Sequence, residues 1–141
     1  MKAHKNRPLL KDKVLALLFE KPSLRTKVSF SVAMFQLGGN CIFLSKEEIG
    51  IGTREDPSDI AQVLSKYVDG VVYRTFSHQV LEKLATPASV PVINGLSDLE
   101  HPCQALADYF TIREKFPKPG AKPRLAWVGD GNNVLNSLIL L

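Results

Sequence analysis

The stretch Phe19-Glu20-Lys21-Pro22-Ser23-Leu24-Arg25-Thr26-Lys27-Val28-Ser29-Phe30 sets the pattern from which the fold is read. The apolar run from Val14 to Phe19 reads as a buried strand. It breaks at Lys21-Pro22, and Ser23 then stands at a helix N-cap ahead of an apolar-periodic segment, Val28, Val32 and Phe35. A strand that runs into a helix N-terminus aims free backbone N–H groups and the positive end of the helix dipole at one place, which suits an anion. Ser23 and Thr26 add hydroxyls there, and Arg25 adds a planar fork matched to phosphate or carboxylate oxygens. A capped helix with a solvated arginine is the plainer reading of the same residues.

The same unit recurs along the chain. The helix Arg25–Leu37 ends at Gly38-Gly39, and Cys41–Leu44 is the next strand. A polar loop, Ser45 to Asp56, leads to a helix opened by Pro57, with Ile60, Val63, Leu64 and Tyr67 as its buried stripe. Gly70–Tyr73 is a third strand, Ser77–Leu84 a short helix capped by Ser77, and Val90–Ile93 a fourth strand. Pro102 opens a helix to about Lys115, with Ala105, Leu106, Tyr109 and Ile112 on one face. After the breaker Pro117-Lys118-Pro119-Gly120 come a fifth strand, Leu125–Val128, the turn Gly129-Asp130-Gly131, and a new helix. Strands alternating with helices predict an α/β fold, a doubly wound parallel sheet flanked by helices. Ligands in such folds sit beyond the carboxyl ends of the strands.

Composition bounds the rest. The 141 residues suffice for one domain with a proper core, and 45% hydrophobic with 23% charged residues is the balance of a soluble globular protein. Cys41 and Cys103 make neither a disulfide framework nor a metal-ligand spacing, so a reducing, cytoplasmic setting is expected. No apolar run approaches the length that spans a bilayer, and Met1-Lys2-Ala3-His4-Lys5 lacks the apolar core of a signal peptide, so no membrane partner is expected. The net charge of +4 fits an anionic small substrate or a nucleic-acid surface. The excess is concentrated in Lys2 to Lys13 and in Lys115 to Arg124. Without RNP-like aromatic motifs or zinc-finger spacing, no nucleic-acid partner is expected.

The residues following each strand carry the chemistry. Arg74 directly follows Val71-Val72-Tyr73, and with Arg25 it would clamp one phosphate dianion; a surface arginine in a turn is the alternative. In His101-Pro102-Cys103-Gln104, the proline at the first helical position places His101 at the N-cap and Gln104 in the first turn, so both face one volume. Such a histidine can donate to a carbonyl oxygen whose charge grows during attack, or it can simply cap the helix. Gln104 offers an acceptor and a donor suited to a carbamoyl NH2 group. Cys103 reads as a packed thiol rather than a nucleophile. His4 and His78 read as surface residues, and three scattered histidines without clustered carboxylates predict no metal site. Gly129-Asp130-Gly131-Asn132-Asn133 begins like a dinucleotide fingerprint but lacks the third glycine, and no cofactor is expected.

Ser23-Leu24-Arg25-Thr26 after Phe-Glu-Lys-Pro, with His101-Pro102-Cys103-Gln104-Ala105-Leu106-Ala107-Asp108, resembles the carbamoyltransferases, and most of all their ornithine-using branch. Gln36 to Gly39, Val63 to Tyr67, Val92 to Asp98 and Trp127 to Asn133 extend the resemblance from about Leu10 to Leu141. The resemblance implies that Ser23, Leu24 through its backbone, Arg25 and Thr26 hold the phosphate of carbamoyl phosphate. It implies that Arg74, His101 and Gln104 meet the carbamoyl side, and that Asn133 contacts the amino-acid substrate. Arg25, Arg74 and His101 would be catalytic, with no metal and no cofactor. It also implies homotrimers and two α/β domains, a carbamoyl-phosphate-binding domain over residues 1–120 and the start of an amino-acid-binding domain at 121–141. The expected protein is therefore a piece of an ornithine carbamoyltransferase that does not turn over ornithine alone. Three positions depart from the family pattern: Leu24 stands where Thr is frequent, Lys27 where Arg is frequent, and Gly50 where Gln or His reaches a neighbouring subunit. A carbamoyltransferase for another amine such as putrescine, or a non-catalytic assembly module, is the alternative function. The apolar stretch Val134 to Leu141 is expected to leave an exposed patch.

Overall fold

A strand covered on both faces must be apolar at nearly every position, and Val14–Phe19 meets that demand: all but its first residue are buried. In the computed structural model, which describes residues 7–116 and 124–141, this segment is β1. In chain order, α1 (Leu24–Gln36), β2 (Asn40–Ser45), α2 (Lys46–Ile49) and α3 (Pro57–Leu64) follow it. Then come β3 (Gly70–Arg74), α4 (His78–Ala85), β4 (Val92–Leu96), α5 (Pro102–Lys115) and α6 (Asn133–Ile139). The four strands form one parallel sheet in the order β2-β1-β3-β4, so the predicted α/β class stands.

Side-chain alternation divides the sheet into two cores. Ala16, Leu18, Val71 and Tyr73 face Ile60 and Ala61 of α3 and Leu81 and Leu84 of α4. Leu15, Leu17, Phe19 and Val72 face Met34 of α1, with Phe30 and Phe43 packed against them. Helices therefore cover both faces, and the sheet is doubly wound. The chain leaves β1 for β2 on one side and later returns to β3 on the other. The carboxyl ends of β1 and β3 thus flank the point where strand order reverses, the place where such sheets leave a crevice.

The helix starts follow the sequence signals closely. Ser23 accepts from the Thr26 N–H, Asp56 precedes Pro57 and accepts from the Ser58 N–H, and Ser77 accepts from the Val80 N–H. The end of α1 is a Schellman turn. Gly38, at φ +86°, donates to the Phe35 carbonyl, and Gly39 donates to that of Met34. The loop Ser45 to Asp56 contains the unforeseen α2, whose Ser45 and Glu48 form a reciprocal capping box. Gly50 ends α2 in a left-handed conformation at φ +61°, and a Cβ there would lie 2.9 Å from the Arg54 Cβ. A side chain in that position is therefore strained.

Several predicted faces and one strand need correction. Val28, Val32 and Phe35 lie on the outer side of α1, with Phe35 80% exposed, because Phe30 and Met34 take the sheet-facing side. Val63 and Tyr67 are likewise exposed, leaving Ile60, Ala61 and Leu64 to pack. On α5 only Ala105 is fully buried, while Leu106 and Tyr109 are exposed. The fourth strand begins at Val92, after Pro91, whose missing N–H keeps it out of the ladder while its carbonyl accepts from Val71. Residues 125–128 form no strand, since none of the strands among the described residues lies beside them to take their N–H and C=O groups. The breaker Pro117–Gly120, the boundary at 120/121, His4 and the first lysines lie outside the described residues. No helix among the described residues is long and apolar enough to cross a membrane.

Candidate functional site

The end of β1, the end of β3 and the start of α5 converge on one cavity of about 260 Å3. Ser23, Arg25 and Thr26 reach it from the first turn of α1, Arg74 from the last residue of β3, and His101 and Gln104 from the start of α5. Six of the eight predicted site residues therefore share a single space. Leu24 does not line it, and its side chain is 79% exposed. Asn133 is also outside the cavity. Its side-chain amide donates to the Ser97 carbonyl at 2.8 Å, and its own carbonyl accepts from the His101 N–H at 3.2 Å.

Each side chain's posture has a local cause. Ser23 has extended backbone angles, as an N-cap requires, and its hydroxyl donates to the Thr26 hydroxyl at 3.0 Å. Arg74 sits at an irregularity in the pairing of β3 with β4: Tyr73 aligns with Asn94, but Arg74 aligns with Leu96. Gly95 is the extra residue, and a Cβ there would press on Val72, the Tyr73 carbonyl and the Arg74 Cβ. His101 occupies the N-cap of α5 without using its side chain to cap, which disposes of the capping alternative. Its backbone N–H is held by the Ser137 hydroxyl at 2.9 Å. Gln104 donates one amide hydrogen to Asp108 at 2.8 Å, leaving its carbonyl oxygen available.

The electrostatics favour an anion. Neither Arg25 nor Arg74 has a carboxylate partner among the described residues. Burial, and then the like charge of Arg25, pull the Arg74 guanidinium below its ordinary value. Burial first, then the charge of Arg74, hold His101 below the usual imidazole range, while Asp108 opposes them. The ring is thus neutral near pH 7. Arg74 Nε and His101 Nδ1 are both buried and lack hydrogen-bond partners among the described residues. Unmet buried polar atoms at a cavity wall are costly unless something fills the space.

Ser29, Phe30, Cys103 and Ala107 also line the cavity, and sequence reasoning passed over them as site residues. Helical spacing offered a signal for three of them. Ser29 and Phe30 lie one turn beyond Arg25 and Thr26, and Ala107 one turn beyond Gln104. Cys103 donates from Sγ to the Asn94 carbonyl at 3.3 Å, and burial pushes its thiol up, so it is packed rather than nucleophilic. Lys27 lies elsewhere, its ammonium 3.4 Å from the Phe43 ring centroid. Among the described residues, no three His, Cys, Asp or Glu side chains gather as a metal site would need.

A family model described as "Aspartate/ornithine carbamoyltransferase, carbamoyl-P binding domain" matches residues 1–114. The chain belongs to the aspartate/ornithine carbamoyltransferase family. Among its relatives, the ornithine carbamoyltransferase of Bacillus cereus is 55% identical over 141 residues, 99% of this chain and 44% of that protein. The ornithine carbamoyltransferase of Methanopyrus kandleri is 56% identical over 135 residues, 95% of this chain and 42% of that one. The crystal structure of ornithine carbamoyltransferase from Thermus thermophilus superposes with a TM-score of 0.88 at 53% identity, covering 95% of this chain and 46% of that one. The chain therefore spans less than half the length of these relatives.

Proposed function

We propose that this chain is the carbamoyl-phosphate-binding part of an ornithine carbamoyltransferase, which converts carbamoyl phosphate and L-ornithine to L-citrulline and phosphate in arginine biosynthesis. The observation that carries the reading is the meeting of two guanidinium groups and a neutral imidazole in one cavity over a helix start. Ser23, Thr26 and the N–H groups of the first turn, that of Leu24 included, hold the phosphate. Arg25 and Arg74 balance its two negative charges. His101 donates to the carbonyl oxygen, and Gln104 accepts from the carbamoyl NH2.

The chemistry then follows from where charge develops. The δ-amino nitrogen of ornithine attacks the carbonyl carbon, and the carbonyl oxygen becomes an oxyanion facing Arg25, Arg74 and His101. As the oxyanion collapses, the bond between the carbamoyl carbon and the bridging phosphate oxygen breaks. Phosphate leaves with that electron pair, its charge offset by the arginines, and takes up the proton that the attacking nitrogen loses. No protein nucleophile takes part. Residues 1–120 form the carbamoyl-phosphate-binding domain and residues 121–141 begin the amino-acid-binding domain, to which Asn133 contributes. The working protein is a cytoplasmic homotrimer, and the outward apolar stripe of α1 supports self-association. The ornithine-specific names of the relatives support ornithine over putrescine as the acceptor.

Isothermal calorimetry with phosphonoacetamide, a stable stand-in for carbamoyl phosphate, tests the site. Wild-type chain is expected to bind it, and Arg25→Ala to lose at least about tenfold in affinity, as removal of a charge-assisted partner implies. Equal binding by both would remove the site assignment. Ornithine added to the chain with carbamoyl phosphate is expected to yield no citrulline.

A further inference from the structure

The two arginines reach the cavity from different loops, and something must fix the distance between those loops. Glu20, which lies in the stretch between β1 and α1 and does not line the cavity, is placed to do so. Its backbone N–H donates to the Arg74 carbonyl at 2.9 Å. One oxygen of its carboxylate, Oε2, accepts from the Thr75 hydroxyl and from the Phe76 N–H, the latter at 3.1 Å. Thr75 is fully buried, receives the Ser77 N–H on its own hydroxyl oxygen, and donates its backbone N–H to Leu96. The neighbouring Lys21 ammonium lies 4.3 Å from the centroid of the Phe76 ring and joins the same two loops again.

Glu20 therefore contacts the three consecutive residues Arg74, Thr75 and Phe76, and stands three residues before Ser23. On the opposite flank, the extra residue Gly95 leaves room for Arg74 against β4. We propose that Glu20 is a positioning residue, whose carboxylate fastens the loop after β3 to the loop after β1 and so sets the spacing of Arg25 and Arg74 across the cavity. No Lys or Arg among the described residues pairs with this carboxylate. Its partners are a hydroxyl and an amide N–H, both on one oxygen, so the position needs an acceptor of the right reach rather than a negative charge. Glutamine supplies that acceptor and alanine does not.

The affinity part of this inference rests on the cavity being the phosphate site; the spacing part does not. The test uses the whole chain as Glu20→Ala, Glu20→Gln and Thr75→Val. Phosphonoacetamide affinity is measured by calorimetry, and the Arg74 Nε–H resonance by 15N NMR, assigned by its loss in Arg74→Lys. Glu20→Ala is expected to weaken binding about tenfold and to move the Arg74 resonance, while Glu20→Gln stays within about threefold with the resonance in place. Should Glu20→Ala fail to fold, Thr75→Val carries the same expectation for the resonance. An unmoved resonance in Glu20→Ala or Thr75→Val would overturn the proposal, as would equal losses in the alanine and glutamine variants. Absence of phosphonoacetamide binding by the wild type would sink the functional reading alone, because the resonance still decides the spacing.

Discussion

His101 stands at a helix start but keeps its ring out of the cap, and its titration follows from that placement. In the unfolded chain a histidine takes up its proton near pH ~6.5. In the folded chain burial and Arg74 delay that uptake to lower pH. Between the two values the unfolded chain binds more protons, so stability falls as pH drops through the window and is fully present above it. A dianion in the cavity offsets the charge of Arg74 and reverses part of the effect. The His101 ring titration, followed by 1H–13C NMR, is therefore expected to move to higher pH when phosphonoacetamide is added. A curve that ignores the ligand would contradict a shared cavity. The residue types at the strand ends were legible because a strand followed by a capped helix names its own ligand-facing positions. The unpartnered atoms were not, since Arg74 Nε and His101 Nδ1 are isolated by tertiary packing that no local spacing encodes.

Among the elements, the turn that closes α1 is the least tolerant of added atoms. A Cβ on Gly39 would lie 2.6 Å from the Met34 Cε, 2.8 Å from the Lys13 carbonyl and 2.9 Å from that of Leu10. Two of these are backbone oxygens that cannot swing aside. Gly39→Ala is expected to destabilise the chain by about 1–3 kcal/mol, read as a lower urea midpoint with an unchanged slope. Helix starts were readable because Ser23, Pro57, Ser77 and Pro102 act within one turn of themselves. Helix faces were less so. Two apolar stripes run along α1, Phe30 with Met34 and Val28 with Val32 and Phe35, and periodicity counts both without saying which meets the sheet. Residues 125–128 show the matching limit for strands, whose existence depends on a neighbour that sequence pattern cannot supply.

For the molecule as a whole, sheet order places the site. Alternating strands and helices announced a parallel sheet with ligand residues at its carboxyl edge, while the reversal between β1 and β3 emerged only from the pairing. The outward stripe of α1 has its consequence at this scale too. Val32 and Phe35 are 45% and 80% exposed and pack on nothing within the chain's two core clusters. By sedimentation, the wild type is expected to approach three times its 15.6 kDa chain mass, whereas Val32→Lys with Phe35→Lys stays near one. Its unfolding midpoint should fall below that of the wild type and lose its dependence on protein concentration, because self-association adds to apparent stability by mass action.

The middle position of β1 in the sheet also bears on how the chain is made. Of the four described strands it is made earliest, yet one edge must wait for Asn40–Ser45 and the other for Gly70–Arg74. Until some fifty further residues have been synthesised, a stretch as greasy as Val14–Phe19 keeps an open flank. The apolar flank is thus closed only when the third strand pairs with the first.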